Sequence, residues 1–473
     1  LLSHLKRLGG DSLLYALMNV GTKLIAFLML PIYTTYLSPT EMGVFENVDA
    51  LISILIFVVI FGTDNALAYY FYKTDDEKEK LELFQSALYF RAAIAMGINI
   101  LFILFGEMIS NSLFGTPDYK YIFYLAGTVL IIESIITLIL TYYRFEFKSK
   151  KVVITTVIKL ALVAILSYVF LKYFDLQVES IYWGRLISVV VIVLILFPSL
   201  IRMSTFKLNK EILKKLLIYG APLVPASIAF WVITFSNRFF LTMFESLSSV
   251  GIYGVAIKFA TVISLLTSSV QMAWRPYSMS IKDNPNAKQI YSTLFLLILI
   301  IGMTGLMGIA TIIPYVMDFM IKDPAYAEAS KYIAVLSLGS FLSFYYLIIS
   351  IGLFFNKKTG VISVYVGISA VISVILNILL IPLFSIWGAV TALIVSYLFV
   401  NVIIFIKSQK EYYIPVSILK MILLFSSGIF GILTILYIQE NNGISNYYIV
   451  LPWLINLSIT FFSIKNNLVS IRK

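Results

Sequence analysis

The chain has 473 residues, of which 60% are hydrophobic and only 12% charged, with a net charge of +11 and a mean hydropathy of +0.96. No soluble domain can cover that much apolar surface, and with no cysteine and a single histidine there is neither a disulfide framework nor a thiolate metal site. The Lys and Arg excess is spread through short connections rather than gathered in a solvated stripe, so it reads as the charge bias of a membrane protein and not as nucleic-acid binding.

A helix needs roughly twenty apolar residues to cross the roughly 30 Å hydrocarbon core. Such runs fall at 11–35, 44–72, 83–105, 121–143, 152–174, 181–201, 216–244, 251–274, 290–314, 332–354, 361–381, 389–406, 418–438 and 447–464. The sequence therefore predicts an all-α membrane protein of about fourteen transmembrane helices. The first run follows Lys6 and Arg7, continues past twenty residues and meets no small-residue cleavage site, so a retained helix is expected rather than a signal peptide. His4, in the polar stretch before it, is assigned a surface role. Connections between runs are short, which leaves no room for an extramembrane enzyme domain.

Basic residues alternate in side. One set of connections holds most of them, including Lys6, Arg7, Lys73, Lys78, Arg144, Lys148, Lys207, Lys465, Arg472 and Lys473, while the other holds only Lys120, Lys172, Lys322 and Lys331. Both termini are accordingly expected on the cytoplasmic side of the membrane.

Two stretches about 208 positions apart read alike. Leu37 to Phe45 and Glu245 to Tyr253 each join two helices by a tight turn and open the second with Gly-apolar-aromatic, making Gly43 and Gly251 equivalent. A second echo sets Ile181-Tyr182-Trp183-Gly184 against Ser385-Ile386-Trp387-Gly388. Parallel repeats of this kind are a transporter architecture with the substrate path between the halves. The expected organisation is a six-helix lobe in 1–205, a pseudo-symmetric one in 206–406, and two additional helices in 407–473.

Seven basic residues fall within the runs: Lys23, Arg91, Lys159, Arg185, Arg238, Lys258 and Lys420. The acidic ones are Glu46, Asp49, Asp64 and Glu133. A charge near the bilayer centre costs roughly 2.5–3.5 kcal/mol on insertion scales, so such groups are kept in wet cavities or paired. Lys23, Arg91, Lys159, Arg238 and Lys258 are expected to line a cationic cavity that attracts an anionic headgroup. Arg185 and Lys420, near run ends, are expected to snorkel to the interface. Glu46 and Asp49 are either solvated at a helix end or part of the path; Asp64 and Glu133 are either counter-ions or protonatable coupling groups. Pro222 and Pro225 interrupt the seventh run and are expected to bend it beside a cavity or gate, whereas Gly302, Gly305 and Gly308 with Pro314 are expected to permit close packing.

The run Ala221-Pro222-Leu223-Val224-Pro225-Ala226, followed by Trp231, Asn237-Arg238-Phe239-Phe240, Val250-Gly251-Ile252-Tyr253, Lys258 and Ala273-Trp274-Arg275-Pro276, resembles the polysaccharide transporters. These are the O-antigen (Wzx-type) and repeat-unit flippases of the multidrug/oligosaccharidyl-lipid/polysaccharide exporter superfamily. Leu30-Pro31, Gly62-Thr63-Asp64 and Asn377 to Pro382 extend the resemblance along nearly the whole chain. It implies a V-shaped two-lobed fold and outward carriage of undecaprenyl-diphosphate-linked oligosaccharide, with no cofactor, possible coupling to an H+ or Na+ gradient, and polysaccharide assembly enzymes as partners. Arg238 and Lys258 match the basic positions of the motif, so the resemblance gives them the headgroup role. Asn237 departs from a common acidic residue there, and Tyr69 from a common Arg. The rival readings are an ion-coupled drug exporter or peptidoglycan-precursor flippase of the same superfamily, and a membrane-embedded glycan polymerase.

Overall fold

The computed structural model describes residues 2–204, 208–441 and 445–471, with side chains described from residue 14 to residue 463 apart from residues 16, 266 and 269. Lys207, Arg472 and Lys473 lie outside the described residues, as do the side chains of His4, Lys6, Arg7 and Lys465. Helices connected by short loops make up the described chain, and no strand occurs among the described residues. Thirteen helical segments, from Leu17–Tyr36 to Ile418–Glu440, are long and apolar enough to cross a membrane, and each overlaps one of the first thirteen expected runs. The fourteenth run coincides with the helix Val450–Ile471. The chain falls into two compact units, Leu1–Gly251 and Ile252–Lys473. Spatial packing thus joins the seventh span to the first six, whereas the repeat offset sets it at the head of the second half.

The first unit contains α1 (Leu2–Leu28), α2 (Leu30–Tyr36), α3 (Pro39–Ile60), α4 (Thr63–Phe71), α5 (Glu77–Phe114), α6 (Lys120–Phe145), α7 (Ser149–Tyr173), α8 (Gln177–Met203), α9 (Lys210–Gly220), α10 (Val224–Phe235), α11 (Asn237–Phe244) and the first turn of α12 (Leu247–Ala260). A capping box starts α3: Ser38 Oγ accepts the Glu41 amide at 3.3 Å, and the Glu41 carboxylate accepts the Ser38 amide at 2.7 Å. Pro39, with no amide to leave unsatisfied, occupies the first turn. The second run, expected as one continuous helix, is in fact broken. Phe61 (φ 46°) and Gly62 (φ 70°) both take left-handed backbone, ending α3 and restarting the chain as α4. The seventh run breaks where its prolines predict. Neither Pro222 nor Pro225 can donate to a carbonyl four residues back, and a 3-10 turn at Ala221–Leu223 separates α9 from α10.

These two breaks touch. A Cβ on Gly62 would lie 2.5 Å from the Gly220 carbonyl oxygen, and one on Gly220 2.5 Å from that of Phe61. Only glycine lets the backbones approach so closely. A second close approach involves the repeated glycines: a Cβ on Gly43 would overlap the Leu247 carbonyl oxygen, and one on Gly251 that of Pro39. Leu247 and Pro39 are the first residues of α12 and α3. The contact is therefore reciprocal, as a local two-fold relation between repeated segments requires. Below it, α4, α5, α6, α8 and α9 share an apolar core around Leu67, Phe84, Ile139, Tyr142, Ile192 and Leu216.

The second unit comprises the rest of α12 with α13 (Ile263–Ser280), α14 (Ala287–Met320), α15 (Ser330–Ile349), α16 (Ile351–Phe355), α17 (Thr359–Phe384), α18 (Ile386–Glu411), α19 (Ile418–Glu440) and α20. Within it α17 and α15 pack on α18, and α14 packs on α15 and α19. In lipid the helices gain little from apolar contact alone, so small residues and interhelical hydrogen bonds fasten them. Gly428 and Gly431 sit against Met303 and Met307, Asn401 donates to the Leu342 carbonyl at 2.9 Å, and Ser369 to that of Ser396 at 2.7 Å. The expected glycine packing on α14 holds at Gly302, which faces the Phe341 ring. Gly305 and Gly308 have nothing within 4 Å.

Candidate functional site

Four intramembrane cations of the first unit each meet a carboxylate. Toward the Pro39 end of α3, Glu46 and Asp49 lie one turn apart and reach different partners. Arg238 of α11 donates from Nε to Glu46 Oε2 at 2.9 Å, with its guanidinium 5.1 Å from the Phe235 ring centre. Arg185 of α8 donates from Nη1 and Nη2 to the two oxygens of Asp49, at 2.5 and 2.9 Å. The Tyr182 hydroxyl adds a 3.3 Å bond to Asp49, and the Arg185 guanidinium stands 5.2 and 5.3 Å from the Phe45 and Tyr182 rings.

A second layer lies toward the break in the second span. Arg91 of α5 donates from Nε and Nη2 to Thr63 Oγ1 at 3.0 and 2.6 Å, and from Nη2 to Asp64 at 2.7 Å. Arg91 thereby clamps the first turn of α4 immediately after Gly62. Its Nη1 is buried without a hydrogen-bond partner. Lys159 of α7 donates to Glu133 of α6.

Exposure divides these pairs. Side-chain exposure is 6% and 3% for Arg238 and Glu46, and 1% for Arg91 against 34% for its partner Asp64. It is 27% and 32% for Arg185 and Asp49, and 16% and 28% for Lys159 and Glu133. A buried ion pair that loses one member leaves an uncompensated charge, so the Arg238–Glu46 pair acts as a clamp. The Arg185 and Lys159 pairs keep part of both partners exposed. A polar seam supports the sealed clamp. Asn47 donates to Thr242 Oγ1 at 2.7 Å, and the Trp231 indole to Ser53 Oγ at 2.6 Å, holding α10 and α11 on α3.

Several expectations change accordingly. Arg185, expected to snorkel to the interface, has its fork bound to Asp49 because α8 brings it beside α3. Glu46 is not solvated but buried against Arg238. Asp64 and Glu133, left between two roles by the sequence, form ion pairs with Arg91 and Lys159. Lys23 is half-buried on α1, and Lys258 half-buried on α12 within the second unit. Pro222 and Pro225 are exposed at the turn they create. Lys420 donates to the Ser463 carbonyl at 3.2 Å. The pairing of Asp49 with Arg185, 136 residues apart, escaped sequence reasoning; the only local signal was a second carboxylate one turn from Glu46. Among the described residues no cluster of His, Cys, Asp or Glu has the makings of a metal site.

Comparison with known proteins places this architecture. An uncharacterized membrane protein of Methanocaldococcus jannaschii is 25% identical over 456 residues, covering 88% of this chain and 87% of that protein. The inward closed structure of the lipid II flippase MurJ superposes with a TM-score of 0.71 at 14% identity, over 98% of this chain and 100% of its own. An inward-facing MATE family multidrug resistance transporter of the MOP superfamily gives 0.63 at 15% identity, over 82% and 94%. These likenesses show that the chain shares its fold with both of these proteins. The family model described as "Polysaccharide biosynthesis protein" matches residues 8–282, so the chain belongs to that family.

Proposed function

We propose that this protein is a flippase that moves an undecaprenyl-diphosphate-linked oligosaccharide, the repeat unit of a polysaccharide, from the cytoplasmic to the outer leaflet. The observation that carries the reading is the presence of two partly exposed ion pairs, Asp49–Arg185 and Glu133–Lys159, on membrane-spanning helices beside two broken spans. Broken helices border the substrate path in transporters, and exposed charge at membrane depth needs a water-filled one. Arg and Lys on that path offer charge-assisted bonds to phosphate oxygens. The polyprenyl tail stays in lipid while the headgroup crosses by alternating access, with no covalent step. Family membership in polysaccharide biosynthesis favours this cargo over the drug cations of a multidrug exporter.

In this reading the protein lies in the bacterial cytoplasmic membrane with both termini inside, and works beside the enzymes that assemble and extend the glycan. Lys23 adds positive charge toward the headgroup, and an H+ or Na+ gradient supplies the drive. The test is transbilayer movement of a fluorescent undecaprenyl-diphosphate oligosaccharide in proteoliposomes. Protein-dependent acceleration is expected. Absence of movement for every diphosphate-linked glycan, with export of an organic cation instead, would refute the reading.

A further inference from the structure

We propose that Arg185 is a diphosphate-binding residue and that Asp49 is its built-in stand-in, occupying at rest the guanidinium fork that the headgroup phosphate takes over. The inference rests on the flippase reading above and adds a specific anion site to it. Three observations carry it. First, Arg185 presents two parallel N–H groups to two oxygens, at 2.5 and 2.9 Å, which is the contact a phosphate offers equally well and a lysine cannot reproduce. Second, this is the accessible guanidinium among the four pairs. Arg238 and Arg91 are sealed, and Lys159 is a single point donor. Third, the Phe45 and Tyr182 rings hold the guanidinium from its faces, so the fork keeps its orientation when the carboxylate leaves. The Tyr182 hydroxyl then faces the incoming oxygen.

Charge balance explains why a carboxylate occupies the site at all. A lone guanidinium at membrane depth is costly, so the empty transporter needs an anion there. Asp49 supplies it, and a diphosphate replaces it without leaving Arg185 bare. The groups that face Asp49 are Arg185 and Tyr182 from α8 and Tyr33 from α2, with Glu46 on its own helix already bound to Arg238 of α11.

The experiment measures binding of farnesyl diphosphate and of inorganic pyrophosphate to the purified full chain in detergent at pH 8. Wild type is compared with Asp49→Asn, Arg185→Lys and the double variant Asp49→Asn/Arg185→Gln, which carries no uncompensated charge and so retains its fold. Asp49→Asn is expected to bind farnesyl diphosphate roughly tenfold tighter than wild type. Arg185→Lys is expected to bind roughly tenfold weaker, and the double variant roughly a hundredfold weaker than Asp49→Asn. Equal binding by wild type and the double variant overturns the assignment of Arg185 while leaving the flippase reading in place. An Asp49→Asn variant no tighter than wild type overturns the stand-in role. Binding of pyrophosphate without farnesyl diphosphate overturns a lipid headgroup as the occupant. No binding of either probe by any variant, with no flipping in proteoliposomes, removes the flippase reading and this inference together.

Discussion

Replacing Arg238 by alanine strips Glu46 of the guanidinium that neutralises it, and the structure sets the scale of the loss. The two side chains are 6% and 3% exposed and joined at 2.9 Å, so water neither screens the pair nor replaces the guanidinium once it is removed. Breaking a buried pair by removing one member costs roughly 3–5 kcal/mol. Glu46→Gln removes the carboxylate from Arg238 and should cost a similar amount. The double variant Glu46→Gln/Arg238→Ala leaves neither charge behind, so its loss should fall short of the sum by about 2–3 kcal/mol. Unfolding in detergent, followed by denaturant titration of all four proteins, completes the cycle. The family motif assigns Arg238 to the headgroup, and this assay separates that role from a clamp. If Arg238→Ala lowers stability by less than about 1 kcal/mol while abolishing transport, Arg238 touches substrate and the clamp argument is refuted.

Three further outcomes follow from the same geometry. Gly43→Ala and Gly251→Ala should each lower the unfolding free energy, by about 1–3 kcal/mol and to similar degrees, because each methyl group meets a carbonyl oxygen of the opposite segment; a loss at one site alone would contradict the reciprocal contact. Gly62→Ala should destabilise by about 2 kcal/mol or more in the same assay, since it combines left-handed backbone at φ 70° with an oxygen at 2.5 Å. Charge reversal at the Lys159–Glu133 pair is the third: Lys159→Glu alone should abolish flipping in proteoliposomes, and Lys159→Glu/Glu133→Lys should restore folding and part of the rate, because these two side chains neutralise each other across α6 and α7.

The first-order architecture was legible from the order of residues. Apolar run length dictates where a chain crosses a membrane, because the hydrocarbon thickness is a fixed external ruler, and thirteen described spans overlap the expected ones. The break at Pro222 and Pro225 was likewise local, since a missing amide hydrogen needs no partner to act. The break at Phe61 and Gly62 was not. Its left-handed residues include a phenylalanine, and what permits the turn is the approach of Gly220, far along the chain.

The same limit governs the charges. The sequence determined that cations and carboxylates lie at membrane depth and that Gly43 and Gly251 are repeats of one another. It could not say which charge meets which. Glu46 and Asp49 are one turn apart and chemically alike, yet one is sealed against a residue 192 positions away and the other is partly open against a residue 136 positions away. That difference arises because α11 and α8 approach α3 from different sides. Long-range packing of this kind leaves no trace in local periodicity, so only the tertiary structure decided which ion pair is sealed and which is partly exposed.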